Sequence, residues 1–478
     1  MPETMPKPAI LWIRKDLRIA DNRALLAACE DNRPVIPVYI REDDGNGPLG
    51  GAQAWWLERS LARLGEAYEK RGAPLLLKSG APLAVLRSLI AETGATAVYW
   101  NRRYEPLGIK TDTAAKKALL GDDIEVASFA GQILHEPSKF MTKTGGSYKV
   151  YTPFWKAFVE TVHVPDPADA PKKLTTVAKP PASENLADWN LYPGKPDWAS
   201  AFGEIWTPGE DGARERLAHF IDAVADDYAA GRDQPAKEAT SMLSAHLALG
   251  EISPATVWHA VDGTKGLSGE NRKKFLQELV WRDFCHHLLF HSPDLADKNW
   301  NDRFDAFEWK SDEKSFRAWS RGQTGYPIVD AGMRQLWREG IMHNRVRMIV
   351  ASFLIKDLMI DWRQGEKWFR DTLVDADPAS NPANWQWVAG SGADASPFFR
   401  VFNPVLQGEK FDPQGDYVRR YVPELAKMPA KHIHAPFDAP DDVLDKAGIM
   451  LGKDYPKPIV DHKQARKRAL SAFEAVKG

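Results

Sequence analysis

The chain has 478 residues, 44% hydrophobic and 27% charged, with a formal net charge of −2. That length accommodates two or three domains, and no apolar run approaches the roughly 20 residues that a membrane-crossing helix needs. Near-neutral charge excludes a whole-chain basic footprint for packaging nucleic acid, although a local basic face stays compatible with it.

Met1 to Lys7 is proline-rich without an apolar centre, so no secretory signal is read and a cytoplasmic location is expected. The two cysteines, Cys29 and Cys285, are far apart and form neither a disulfide framework nor a zinc spacing. Tryptophan is the compositional outlier, with 18 copies, several of them beside polar residues rather than in apolar runs.

Residues 8–130 alternate short apolar runs with helical patterns. The runs are Ala9–Ile13, Val35–Ile40, Leu75–Leu77, Ala97–Trp100 and Ile124–Val126. Helices are predicted over Asn22–Glu30, Ala52–Arg71, Pro82–Glu92 and Thr111–Leu120. This alternation predicts an α/β fold, a doubly wound parallel sheet covered on both faces. Neither a G-x-G-x-x-G loop nor a Walker loop follows the first strand.

Residues 131–211 read as a connector, because prolines from Pro165 to Pro208 break any long helix; a short ordered helix starts near Tyr151. From 212 to 478 helical periodicity dominates, with helices predicted over Arg214–Ala230, Leu243–Ala248, Pro254–Val261, Asn271–His291, Ser311–Ser320, Pro327–Glu339, Asn344–Asp361 and Glu366–Leu373. The expected architecture is an α/β domain over 1–130, a connector, and a larger all-helical domain.

Several stretches carry chemistry. The hydroxyls of Thr240, Ser241 and Ser244 gather at a helix start, where free N–H groups favour an anion; read alone, this is an ordinary N-cap. Glu278, Trp281 and Arg282 share one helix face, as do Asn344, Arg347 and Met348. His287 and His291 stand one turn apart, but no third ligand accompanies them, so hydrogen-bonding histidines are expected and no metal. The most specific stretch runs from Asp375 to Pro404. It holds Asp375, Asp377, Asn381, the triplet Trp385-Gln386-Trp387, and a close on Phe398-Phe399-Arg400. Acids and an amide near paired indoles suggest a site for a flat, redox-active ring with a polar edge.

Read together, these stretches closely resemble the photolyase/cryptochrome family, along nearly the whole chain from Ile10 to the run at 455–463. The opening R-x-D-L-R-x-x-D-N-x-A-L at Arg14 to Leu25 is similar to that of the family's antenna domain. Asn-Arg-x-Arg-Met at 344–348 resembles its cyclobutane-dimer branch rather than the (6-4) branch. The resemblance implies a light-driven lyase in which reduced FAD passes an electron to a cyclobutane pyrimidine dimer flipped out of DNA; photolyases are a standard example of base flipping.

It also implies residue roles. FAD would contact Tyr228, Thr240, Ser241, Met242, Leu243, Ser244, Asn344, Arg347, Asp375, Asp377 and Asn381. Met242 stands where many members have a basic residue. Arg347 would pair with Asp375 under the flavin, Asp377 would accept from the ring's polar edge, and Asn381 would face N5, where plant photoreceptors commonly have Asp and animal ones Cys. Glu278, Asn344, Met348 and Asn381 would be catalytic. Lesion and DNA would meet Glu278, Trp281, Arg282, Asn344, Arg345, Met348, Trp387, Arg400, Gln407 and Lys410. Trp385, Trp362 and Trp309 would relay electrons to the flavin.

The expected antenna chromophore is 5,10-methenyltetrahydrofolate, with deazaflavin or FMN as alternatives, near Trp55, Trp56 and Glu105. The expected partner is dimer-containing DNA, with no membrane and no obligate protein partner, and the expected state is a monomer. Rival readings are a cryptochrome-type light receptor, against which Asn381, Met348 and the short tail argue, and a dark flavoprotein reductase, against which the missing glycine loop argues.

Overall fold

The structure is a computed structural model that describes residues 6–42, 49–395 and 399–477. Five strands form one parallel sheet: β1 Ala9–Ile13, β2 Val35–Arg41, β3 Leu76–Ser79, β4 Ala97–Asn101 and β5 Glu125–Phe129. Their order is β3-β2-β1-β4-β5, with Ile10 paired to Ile36 on one side and to Val98 on the other. Every residue of β1 is buried, as a central parallel strand covered on both faces requires. Helices Arg23–Ala28, Gly51–Glu69, Pro82–Thr93 and Pro106–Gly121 make the crossovers. Proline at the first turn starts the last two, where the missing N–H costs nothing.

The connector packs along the sheet's edge. The N–H of Leu77 donates to Ser183 Oγ at 2.9 Å and that of Ser79 to Glu184 Oε1 at 2.8 Å. Side chains of the proline-rich stretch thus satisfy an edge strand that would otherwise template pairing. The same stretch contributes helix Tyr151–Thr161, close to its expected start.

The chain divides into two compact units. One comprises Met1–Asp197, Trp206–Asp226 and Ser241–Pro293; the other Trp198–Ile205, Asp227–Thr240 and Asp294–Gly478. The contacts therefore divide the chain elsewhere than at 212, because residues 241–293 pack into the first unit. Buried Asp283 shows why: its Oδ1 accepts from the N–H of Leu134 at 2.7 Å and lies 3.2 Å from His135 Nδ1. The first unit's sheet core is built on Ile10, Trp12, Ile36, Val38, Val98 and Trp100. The second unit has its own core of helices, including Trp319, Val350, Leu354, Trp362, Phe369 and Trp385.

Two predicted helices are interrupted. Arg214–Ala230 resolves into Glu210–His219, a π turn at Phe220–Val224 and short segments after it. Asn344–Asp361 stops as an α-helix at Ser352 and continues as a π turn, Phe353–Asp357. Within the stretch 375–404, residues Ser380–Ala389 are helical, Phe398 lies outside the described residues, and Gln407 and Lys410 sit on a further helix, Pro404–Phe411, capped by the Asn403 side chain.

Candidate functional site

In the second unit, Asp375 and Asp377 occupy the turn between helices Trp362–Thr372 and Ser380–Ala389. Asp377 Oδ1 accepts from the N–H groups of Ala379 at 2.9 Å and Ser380 at 2.7 Å, the carboxylate at a helix start that the dipole favours. Arg347 Nη2 donates to both oxygens of Asp375, at 3.1 and 2.9 Å, and its Nε donates to the Met342 carbonyl at 2.7 Å. The side chain of Asp375 is only 4% exposed, so this pair carries a desolvation cost that the charge-assisted contact of one nitrogen with both oxygens, and the bond to Met342, offset.

Asn381 is held by a residue that no sequence motif marked. Its Nδ2 donates to Glu366 Oε1 at 2.9 Å and to the Glu366 carbonyl at 3.1 Å. A backbone carbonyl can only accept, so the amino end of the amide faces Glu366 and the carbonyl Oδ1 is presented away from it. Burial pushes the Glu366 carboxyl above its usual range, opposed by Arg370 and by the Asn381 bond. The two residues come from adjacent helices, at a separation that leaves no periodic signal.

Helix Asn344–Ser352 starts with the His343 side chain as cap, and burial lowers that imidazole to about 4. Asn344 is exposed on the first turn, with its amide making no hydrogen bond among the described residues. Arg345 bridges to Asp233 at 2.9 Å, lies 4.5 Å over the Phe411 ring and approaches Met348 Sδ at 3.6 Å. Lys410 stands 5.0 Å over the same ring. Tyr228 is buried under Arg232, and Thr240 is half-buried.

Trp309, Trp319, Trp362, Trp385 and Trp387 share one core. Trp362 is fully buried and donates to Asn299 Oδ1 at 2.9 Å; Trp385 is buried against Phe369 at 5.0 Å and Trp319 at 6.3 Å; half-buried Trp309 packs on Phe307 at 4.4 Å. Trp387 is half-buried and donates to the Asp394 carbonyl at 3.0 Å. Arg400 lends its carbonyl to the buried Lys356 amine, which also sits 4.5 Å over Phe399.

In the first unit, helix Ser244–Leu249 begins after Met242, whose φ of 54° is left-handed. Ser241 Oγ accepts from the Leu243 N–H at 3.4 Å, Leu243 is buried, and Ser244 is exposed. Helix Gly269–His291 carries Glu278, Trp281 and Arg282. Tyr151 stacks on Trp281 with centroids 3.6 Å apart and planes at 10°, and donates to the Gln277 carbonyl at 2.6 Å. That tyrosine fixes the plane of the indole. Arg282, expected at a DNA phosphate, is turned onto the carbonyls of Gln132 at 2.6 Å and Leu247 at 3.4 Å, a tie within the unit. His287 Nε2 accepts the Tyr148 N–H at 3.0 Å, and burial holds this imidazole down to about 3, neutral.

The residues expected at an antenna are otherwise engaged. Trp56 is fully buried, donates to Glu251 at 2.8 Å and is packed by Trp206 and His246; Trp55 is 3% exposed under Arg59; Glu105 is buried and paired with Arg103. Trp56 has no face left for a pterin.

Family models described as DNA photolyase and as FAD binding domain of DNA photolyase match residues 9–172 and 275–475. The chain is 64% identical to a deoxyribodipyrimidine photo-lyase of Agrobacterium fabrum over 98% of both chains. The chain belongs to the photolyase/cryptochrome family. Among solved structures, a bacterial class III photolyase from Agrobacterium tumefaciens superposes with a TM-score of 0.97 at 64% identity, covering 99% of this chain and 98% of that one. The family also explains a looser likeness to cryptochrome-1 of Arabidopsis thaliana, 36% identical over 97% of this chain and 70% of the plant protein.

Proposed function

We propose that this chain binds FAD and repairs cyclobutane pyrimidine dimers in DNA under light. The observation that carries the reading is the 64% identity, across 98% of both chains, with a protein named deoxyribodipyrimidine photo-lyase. When bound and reduced, the flavin supplies a light-driven electron that opens the dimer ring and is then returned, and the protein's task is position and electrostatics.

The residues fit that task. Asn381 offers an acceptor oxygen suited to the N5–H of a reduced flavin, and its amino end is committed to Glu366. Arg347 and Asp375 form a rigid charged pair for the ring and ribose side. Tyr228, Thr240, Ser241 and Ser244 offer hydroxyls and Met242 a backbone N–H to the phosphates, with Leu243, its N–H taken by Ser241 Oγ at 3.4 Å, holding the turn between them. Asn344 and Met348 present an amide and a thioether to the carbonyl edges and apolar body of the lesion. Glu278 accepts from a thymine N–H, Trp281 and Trp387 stack on the flipped bases, and Arg345, Arg400, Gln407 and Lys410 meet the DNA rim. Buried Trp385 and Trp362 and half-buried Trp309 carry electrons inward from the surface.

Functionally, 1–130 is assigned as the antenna part, 131–211 as the connector and 212–478 as the FAD- and DNA-binding part, working in the cytoplasm. The antenna proposed is methenyltetrahydrofolate, with deazaflavin or FMN as the alternatives, held by residues other than Trp56. Illuminated and dark samples of the flavin-loaded protein with dimer-containing DNA test the whole reading: dimers should vanish only in light. Glu278→Ala should lower the repair yield while flavin stays bound. Equal dimer loss in light and dark would end the repair assignment.

A further inference from the structure

A groove of about 580 Å³ opens on the second unit, lined by Val401, Phe402, Asn403, Leu406, Gln407 and the helix residues His462, Lys463, Arg466 and Lys467. Lys463, Arg466 and Lys467 fall at i, i+3 and i+4, so one face of helix His462–Lys477 points three cations into it. All three are exposed, and no carboxylate pairs with them among the described residues. They stand in the first two turns of the helix, where the dipole disfavours positive charge, so nothing in the fold rewards them.

The wall they stand on is rigid. His462 Nδ1 meets the buried Asp357 at 2.6 Å, and Arg468, on the other side of the helix, donates to the Asp357 carbonyl at 2.9 Å. Asp357 belongs to the π turn Phe353–Asp357, so the helix start is pinned to the core. The opposite wall is helix Pro404–Phe411, held by the Asn403 cap, with Gln407 in the groove and exposed Leu406 on its lip.

On a chain of net charge −2, an unneutralised cationic row facing an amide across a preformed channel is a local anion track. We propose that this groove binds the phosphodiester backbone of DNA away from the lesion, with Lys463, Arg466 and Lys467 as phosphate contacts and Leu406 against a sugar. The identity of the anion rests on the repair reading above; the cationic track itself does not. Since Gln407 lies in the groove and Lys410 one turn on, the track continues the rim proposed for the damaged strand.

The test is a salt series of DNA binding by the flavin-loaded full chain, wild type against Lys463→Gln/Arg466→Gln/Lys467→Gln, with long duplexes with and without a dimer. Losing three phosphate contacts should flatten the slope of log K against log salt by roughly 2–3 and weaken both duplexes by the same factor. Flavin content and the repair rate at saturating DNA should be unchanged, and thermal stability should not fall, because cations leave a helix start. An unchanged slope overturns the proposal, as does an unchanged slope with an altered native mass, which would make the groove a contact between copies of this chain. If neither protein repairs dimers but their slopes differ as expected, the track stands and the repair reading falls.

Discussion

An amide can face a flavin with either end, and for Asn381 the neighbouring Glu366 makes the choice. In Glu366→Gln the neutral amide is a weaker acceptor than the carboxylate, so the Asn381 amino group is held chiefly by the backbone carbonyl and the amide is oriented less firmly. A hydrogen bond is worth about 1 kcal/mol, so the reduced flavin should reoxidise several-fold faster in the dark, read by absorbance, while flavin content stays the same. Unchanged reoxidation would mean that the Glu366 carbonyl alone orients the amide. Lys356 makes the second residue-level point. It is buried, its amine held down to about 7 by burial and by Arg400, against a partial opposing pull from Asp357. In the unfolded chain a lysine titrates near about 10.4. The cost of its buried charge is therefore complete below pH 7 and is relieved between pH 7 and the unfolded value, where the unfolded chain binds more protons. Stability should rise with pH there, by up to about 1.4 kcal/mol per unit, and Lys356→Met should remove that rise in urea unfolding at pH 7 and 9. A parallel pH profile in the variant would show that the amine stays charged.

Elements meet where a single residue permits it. Helix Trp362–Thr372 carries Gly365, and a Cβ there would lie 2.2 Å from Trp385 Cη2 and 2.7 Å from Leu354 Cδ2. Only a residue without a side chain lets the indole rest on that backbone. Gly365→Ala should cost about 1–3 kcal/mol by overpacking, seen as a lower urea midpoint at unchanged m value, and should displace Trp385. A midpoint at the wild-type value would show that the two helices can part freely. The π turn after Ser352 is the other element-level event. Its Leu358 N–H bonds the Phe353 carbonyl at 3.0 Å, and the extra residue turns Lys356 and Asp357 into the core. Periodicity read this stretch as one helix to Asp361, because one inserted residue barely alters an apolar pattern.

At the scale of the molecule, the second unit holds charged groups such as Asp375, Asp377 and Glu366 in its interior. Each already has a partner in the fold, Asp375 in Arg347, Asp377 in the Ala379 and Ser380 N–H groups, and Glu366 in Asn381 and Arg370; a flavin that binds only the folded chain links ligand and fold by mass action. The melting temperature should climb with FAD concentration, by the equivalent of about 4 kcal/mol at a thousandfold excess over Kd. A melting curve indifferent to FAD would place the cofactor elsewhere or nowhere. The connector shows the same coupling of scales without a ligand. A proline-rich stretch with no pattern of its own supplies the two side chains that finish the edge of the sheet.

Much of this was legible along the chain. Short apolar runs alternating with 3.6-residue patterns located the five strands and their crossovers, since a parallel strand buried on both faces is apolar along its whole length. The local runs around Glu278, Asn344, Asp375 and Trp385 named the family, and the Arg347–Asp375 pair followed from them. What only the tertiary structure decided are the contacts between elements remote in sequence: Glu366 orienting Asn381, Tyr151 laid on Trp281, Arg282 turned inward, Trp56 sealed in the core, and residues 241–293 packed into the first unit. Periodicity records which face of an element is apolar. It holds no record of which other element that face meets, and hydrogen bonds and close packing across elements are settled only when the chain has collapsed around them.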